Sequence, residues 1–157
     1  MNIDASAIPT QGLTAAAHST GAVYIAENDV VNVMSITTVD GDISMTSNGT
    51  MVANVVTAGG TGNIDLRNTL GNITAGNITA DGDTVTINSP GSLSSKAGTT
   101  IIAASADLTA SGGMNVNTNI NTLTATTTNS NIDVTETDGL YLNDINAGTT
   151  GDVTITL

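Results

Sequence analysis

An apolar residue, usually followed by Thr and then by a small residue, recurs throughout this chain. It appears as Leu13-Thr14-Ala15, Ile36-Thr37-Thr38, Val56-Thr57-Ala58, Ile78-Thr79-Ala80, Ile101-Ile102-Ala103, Leu123-Thr124-Ala125 and Ile145-Asn146-Ala147. A second column, Val23, Ile43, Ile64, Val85, Leu108, Ile132 and Val153, keeps pace with it. A looser third runs Val31, Met51, Ile73, Leu93, Val116 and Leu140. The common step reads as a repeat of roughly 22 residues with three apolar bursts in each unit. Within a burst, apolar and polar residues alternate, as in Ile43-Ser44-Met45, Ile64-Asp65-Leu66 and Val85-Thr86-Ile87, which is the two-residue period of a half-buried strand. Three such short strands cannot bury their inner side alone, but stacked units bury a continuous column. The expected fold is an all-β, single-stranded parallel β-helix, a β-solenoid of about seven coils, forming one domain over residues 1–157.

Composition agrees with this reading. The chain has no Phe or Trp and only two Tyr, Tyr24 and Tyr141, so its core is thin and aliphatic. Thr occurs 29 times, Asn 18 and Gly 17. β-Branched residues favour strands while Asn and Gly favour tight turns, which argues against helix. The small residues Ala58, Ala80, Ala103, Ala125 and Ala147 are expected at a corner where a larger side chain would collide across the narrow core.

A net charge of −12, with Arg67 and Lys96 the only fixed cations, repels phosphate backbones and anionic lipid, which argues against nucleic acid and membrane insertion. The absence of Cys excludes disulfides and thiolate metal sites. Residues 1–20 lack the basic start and apolar middle of a secretory signal. Met1-Asn2-Ile3-Asp4 sits about one period before Val23, and Gly151–Leu157 reads as one strand of a new coil. Neither end resembles a cap, and end-to-end stacking on another copy or on flanking repeats is the expected partnership.

Catalytic chemistry is poorly supplied. The single His18 lies in Ala15-Ala16-Ala17-His18-Ser19 with no nucleophile motif beside it. Asp40-Gly41-Asp42 and Asp81-Gly82-Asp83 place paired carboxylates around a glycine turn, so Asp40, Asp42, Asp81 and Asp83 are weak Ca²⁺ candidates, and no other cofactor is expected. Asp is also an ordinary turn residue, and neither pair sits in an EF-hand loop. Glycosylation triplets at Asn48, Asn72 and Asn77 are the chance product of so much Asn and Thr. The outward column Thr14, Thr37, Thr57, Thr79 and Thr124, interrupted by Ile102 and closed by Asn146, forms a candidate ladder for ice or another ordered surface. A second parallel rank beside it is missing, since the neighbours two residues on are Ala16, Val39, Gly59, Asp81, Ala104, Thr126 and Gly148.

Gly-Asp-Ile-Ser-Met at 41–45, Gly-Asn-Ile-Asp-Leu at 62–66, Ser-Asn-Ile-Asp-Val at 130–134 and Gly-Asp-Val-Thr-Ile at 151–155 give the chain a resemblance to bacterial β-strand-repeat surface proteins. These include the shafts of filamentous-haemagglutinin-like adhesins. The resemblance implies a right-handed, non-enzymatic shaft at the cell surface or outside the cell, acting as spacer, filament or adhesive face, with host or matrix surfaces as further partners.

Overall fold

A computed structural model describes residues 12–157. It is all-β, with 68% of residues in strands, and winds as a parallel β-solenoid of about seven turns at a spacing of about 20 residues. This spacing is slightly tighter than the 22 read from the sequence. Among the described residues thirteen strands follow in order: β1 (Leu13–Thr20), β2 (Val23–Glu27), β3 (Val31–Asp40), β4 (Ile43–Ser47), β5 (Met51–Ala58), β6 (Ile64–Asn68) and β7 (Ile73–Ser89), then β8 (Leu93–Ser95), β9 (Ile101–Ala110), β10 (Met114–Thr127), β11 (Ile132–Glu136), β12 (Tyr141–Asn146) and β13 (Val153–Thr156). Every pairing among them is parallel, so backbone hydrogen bonds run along the solenoid axis. The expected apolar start at residues 1–4 lies outside the described residues.

The coil has three faces. The first carries β2, β4, β6, the ends of β7, β9 and β10, and β12. The second carries the starts of β3, β5, β7 and β10, with β8, β11 and β13. The third is formed by most of β1, the middle or end of β3, β5 and β7, the start of β9 and the middle of β10. Seven turns at a strand spacing of about 4.8 Å give a stack on the order of 34 Å long.

Inward residues lie one above another between these faces. Val23, Ile43, Ile64 and Val85 are consecutive partners on the first face, followed by Ala106, Leu123 and Leu142. On the second face the column is Val31, Met51, Ile73, Leu93, Met114, Ile132 and Val153. On the third it is Ala15, Ile36, Val56, Ile78, Ile101, Thr118 and Glu136.

Several residues therefore stand elsewhere than the sequence spacing suggests. Leu108 stacks on Ile87, two positions along from Val85, whose partner is Ala106. Moving a strand by two residues leaves inward positions inward, so apolar alternation cannot detect the slip. Leu13 pairs with Val33, and Ala15 takes the place beside Ile36. The coil joining Ile101 to Thr118 is short, which carries later residues onto the neighbouring face. Leu123 and Ile145 belong to the first face, not beside Ile101, and Ile132 and Val153 to the second, not beneath Val85. Val116 lies one inward position beyond Met114, the true partner of Leu93, and Leu140 lies outside the strands. Of the alanines, Ala58, Ala80 and Ala103 do stack on the third face, whereas Ala125 lies on the first against Leu108 and Ala147 follows β12.

Candidate functional site

The interior includes a polar column that alternation alone does not reveal. At the third inward position of the first face stand Glu27, Ser47, Asn68, Ser89, Ala110 and Thr127, all buried. The chain curls there into the turn leading to the second face, and its carbonyls point inward where no strand can reach them. A buried carbonyl without a donor is costly, so Ser47, Asn68, Ser89 and Thr127 supply one, whereas Glu27 Oε1 accepts from Asn28 N at 2.9 Å. Ser47 Oγ lies 2.7 Å from the Asp29 carbonyl and 3.0 Å from that of Gly49. Asn68 Nδ2 donates to the carbonyls of Gly49, Leu70 and Asn72 at 3.2, 3.0 and 3.1 Å. Ser89 Oγ reaches Gly71 O and Ser92 O at 3.3 and 3.1 Å, and Thr127 Oγ1 donates to Ser130 O. The signal available in the sequence was a polar residue of inward parity just before a Gly, Pro or Asn turn.

Outside, Asx side chains brace one coil against the next. Asp40 Oδ1 accepts from Thr61 N and Oγ1 at 3.2 and 3.3 Å, and Asp42 Oδ1 accepts from Asn63 N at 2.8 Å and Nδ2 at 3.3 Å. Asn63 passes the pattern on by accepting from Thr84 N at 3.1 Å. Asn72, Asn129 and Asn131 likewise accept from the backbone N–H of Ser92, Thr149 and Asp152. Asp40 and Asp42 are thus hydrogen-bonded into the stack. Of the second pair, Asp81 is exposed and Asp83 half-buried around Gly82, whose φ is 85°. Among the described residues no group of three His, Asp or Glu side chains converges as a metal site would require.

The threonine ladder is shorter than the sequence suggests. Thr37, Thr57 and Thr79 are direct partners on the outside of the third face, followed by Ile102 and Asn119. Thr14 pairs with Ser35, so it stands outside this rank, and Thr124 lies on the first face between Asp107 and Asp144. Both departures come from the same register changes that displaced Leu13 and Leu123.

The first face, by contrast, presents two outward ranks side by side. One is Tyr24, Ser44, Asp65, Thr86, Asp107, Thr124 and Asp144; the other is Ala26, Thr46, Arg67, Asn88, Thr109, Thr126 and Asn146. Hydroxyls alternate with carboxylates along the first rank, and the guanidinium of Arg67 binds Asp65 at 2.7 Å. Both tyrosines of the chain are exposed near opposite ends of this face. His18 is exposed on β1. A cavity of about 400 Å³ opens between β1 and β2, lined chiefly by Ala15, Ala17, Ala22, Val23 and Tyr24, with no carboxylate or cation on its walls among the described residues. Among the described residues no helix is long and apolar enough to cross a membrane. Comparison of the chain with known protein families, curated proteins and solved structures gives no match.

Proposed function

We propose that this chain is a non-enzymatic structural rod or fibre segment of a secreted or cell-surface repeat protein. It serves as spacer, filament or adhesin shaft through length and stiffness. The observation that carries this reading is the division of labour between its two sides. Apolar columns and a mostly hydrogen-bonded polar column fill the inside, while Asx side chains on the turns tie each coil to the next. The side chains that acid–base chemistry would use are dispersed: His18 stands exposed on β1, and both Glu are buried at separate corners. Its partners in this role are further parallel coils, from another copy or from flanking repeats, stacked end to end, with host or matrix surfaces along its sides. Protease treatment of intact producing cells, followed by immunoblotting, tests the placement. The chain is expected to be cleaved without lysis, and protection until lysis contradicts a surface location.

The two-rank first face favours a second reading, an ice- or surface-binding module, because it sets polar side chains, hydroxyls among them, in two parallel ranks, about 4.8 Å apart from coil to coil and about 6.6 Å apart between the ranks. Beside the Thr37, Thr57 and Thr79 rank, which the register leaves three threonines long, it offers Ser44, Thr46, Thr86, Thr109, Thr124 and Thr126 on one face. Three Asp and one Arg interrupt the ranks, which places this behind the rod. Thermal hysteresis of the purified chain, abolished by T86K and T124K together, is the expected signature of this second reading; no hysteresis removes it.

A further inference from the structure

The chain contains only two Glu, Glu27 and Glu136, and both are buried, to 2% and 3% exposure. Glu136 occupies an unusual place. It is the seventh member of the third-face column, directly beneath Thr118, where six earlier coils put Ala, Ile, Val, Ile, Ile and Thr. In the coil that follows, faces one and two continue as β12 and β13, but residues 137–140 form no strand, and nothing pairs with Asn119–Asn121 from that side among the described residues. The Ile120 N–H would there be a bare sheet edge. Instead it donates to both carboxylate oxygens of Glu136, at 3.3 and 3.2 Å, and Thr137 N donates to Oε1 at 2.7 Å. Thr137 closes the other half of the gap, its N and Oγ1 both donating to Thr118 O, at 3.2 and 3.1 Å.

We propose that Glu136 is an edge guard: its carboxylate takes the hydrogen-bonding place of the missing third-face strand and so blocks pairing of that edge with a strand from another molecule. An unpaired strand edge is a template for association, and an inward-pointing charge is one of the devices that proteins use against it. An incoming strand would have to displace the carboxylate and take the Ile120 donor from a buried charge, which is unfavourable. This holds whether or not the rod reading is correct, because the guard acts on the third face alone and leaves β12 and β13 open to the end-to-end partners of that reading.

E136Q keeps the shape but replaces one acceptor oxygen with a donor, and E136V continues the aliphatic column; D138N removes one exposed charge nearby as a control. Sedimentation velocity at matched concentration and amide exchange of Ile120 by NMR are the readouts. In E136Q the Ile120 amide is expected to exchange about tenfold faster than in wild type, with a rise in mean sedimenting mass that D138N does not show. E136V is expected to give the larger rise of the two; if it does not fold, E136Q decides alone. Unchanged exchange and mass in E136Q overturn the proposal. Faster exchange without association also overturns it, since Glu136 would then only complete the fold, and equal association in D138N assigns the effect to net charge and overturns it as well.

Discussion

The coils between Val31 and Ala103 and those between Thr118 and Thr156 obey the same alternation but have different interiors. In the former, Ile36, Ile64, Leu66, Ile73 and Ile78 each have a partner above and below and are fully or almost fully buried. In the latter the third face ends at Glu136, and β12 and β13 each have a strand on one side only. Leu66 and Leu142 make the contrast concrete: both lie on the first face in inward columns, at 0% and 48% exposure. Burial in this fold is therefore supplied by the neighbouring coils. An apolar residue at the right parity contributes only when a coil covers it.

The largest expected effect exploits that pair. Leu66→Ala should cost about 2–5 kcal/mol in guanidinium unfolding, because truncation leaves a cavity in close-packed surroundings. Leu142→Ala should change stability by about 0.5 kcal/mol or less. Equal losses at the two sites would erase the distinction between covered and open coils.

Next comes the close passage at Gly76. A Cβ there would lie 2.1 Å from the Asn54 carbonyl oxygen, and Asn54 reaches past this point to bind Lys96 two coils away, at 2.8 Å. Gly76→Ala is expected to destabilise by about 1–3 kcal/mol, as overpacking does, and to lower the melting temperature. Ala80→Leu, in the buried Ala58, Ala80 and Ala103 stack, belongs to the same range of about 1–3 kcal/mol. An unchanged melting temperature in either variant would show that the third face is looser than its burial implies.

The smallest effect is expected at Arg67. Its contact with Asp65 is exposed on the first face, so Arg67→Ala should cost about 0–1 kcal/mol and lose even that in high salt. A larger cost would mean that this exposed pair within β6 contributes more than its exposure to solvent allows.

The architecture was legible from the sequence because its signal is redundant: three apolar bursts per unit, repeated through the chain, leave few ways to bury aliphatic side chains without rings. Ile43 above Ile64 above Val85 follows from spacing alone while the coils keep nearly equal length. What spacing could not resolve was register within a face, since Ala106 and Leu108 have the same parity, and the short coil before Thr118 that passes Leu123 to another face. A small Ala in an apolar column looks like a gap until its neighbours are known. The candidate site was less legible. Two outward ranks on the first face appear only once Thr86 is seen beside Asp65 and Asp107, and the inward polar column of Ser47, Asn68 and Ser89 reads as turn composition. Asn68 retains one oddity: its buried Oδ1 has no hydrogen-bond partner although its Nδ2 holds three carbonyls.

Coil-on-coil stacking is tested most directly by distances along one outward rank. Spin labels on cysteines replacing Thr46 and Thr126 span four coil steps of the first face, and labels replacing Ala26 and Asn146 span six. At the parallel-strand spacing, pulsed electron paramagnetic resonance should give backbone separations near 19 Å and 29 Å, two narrow distributions about 10 Å apart. Overlapping or broad distributions would contradict a regular stack, and the rod with it.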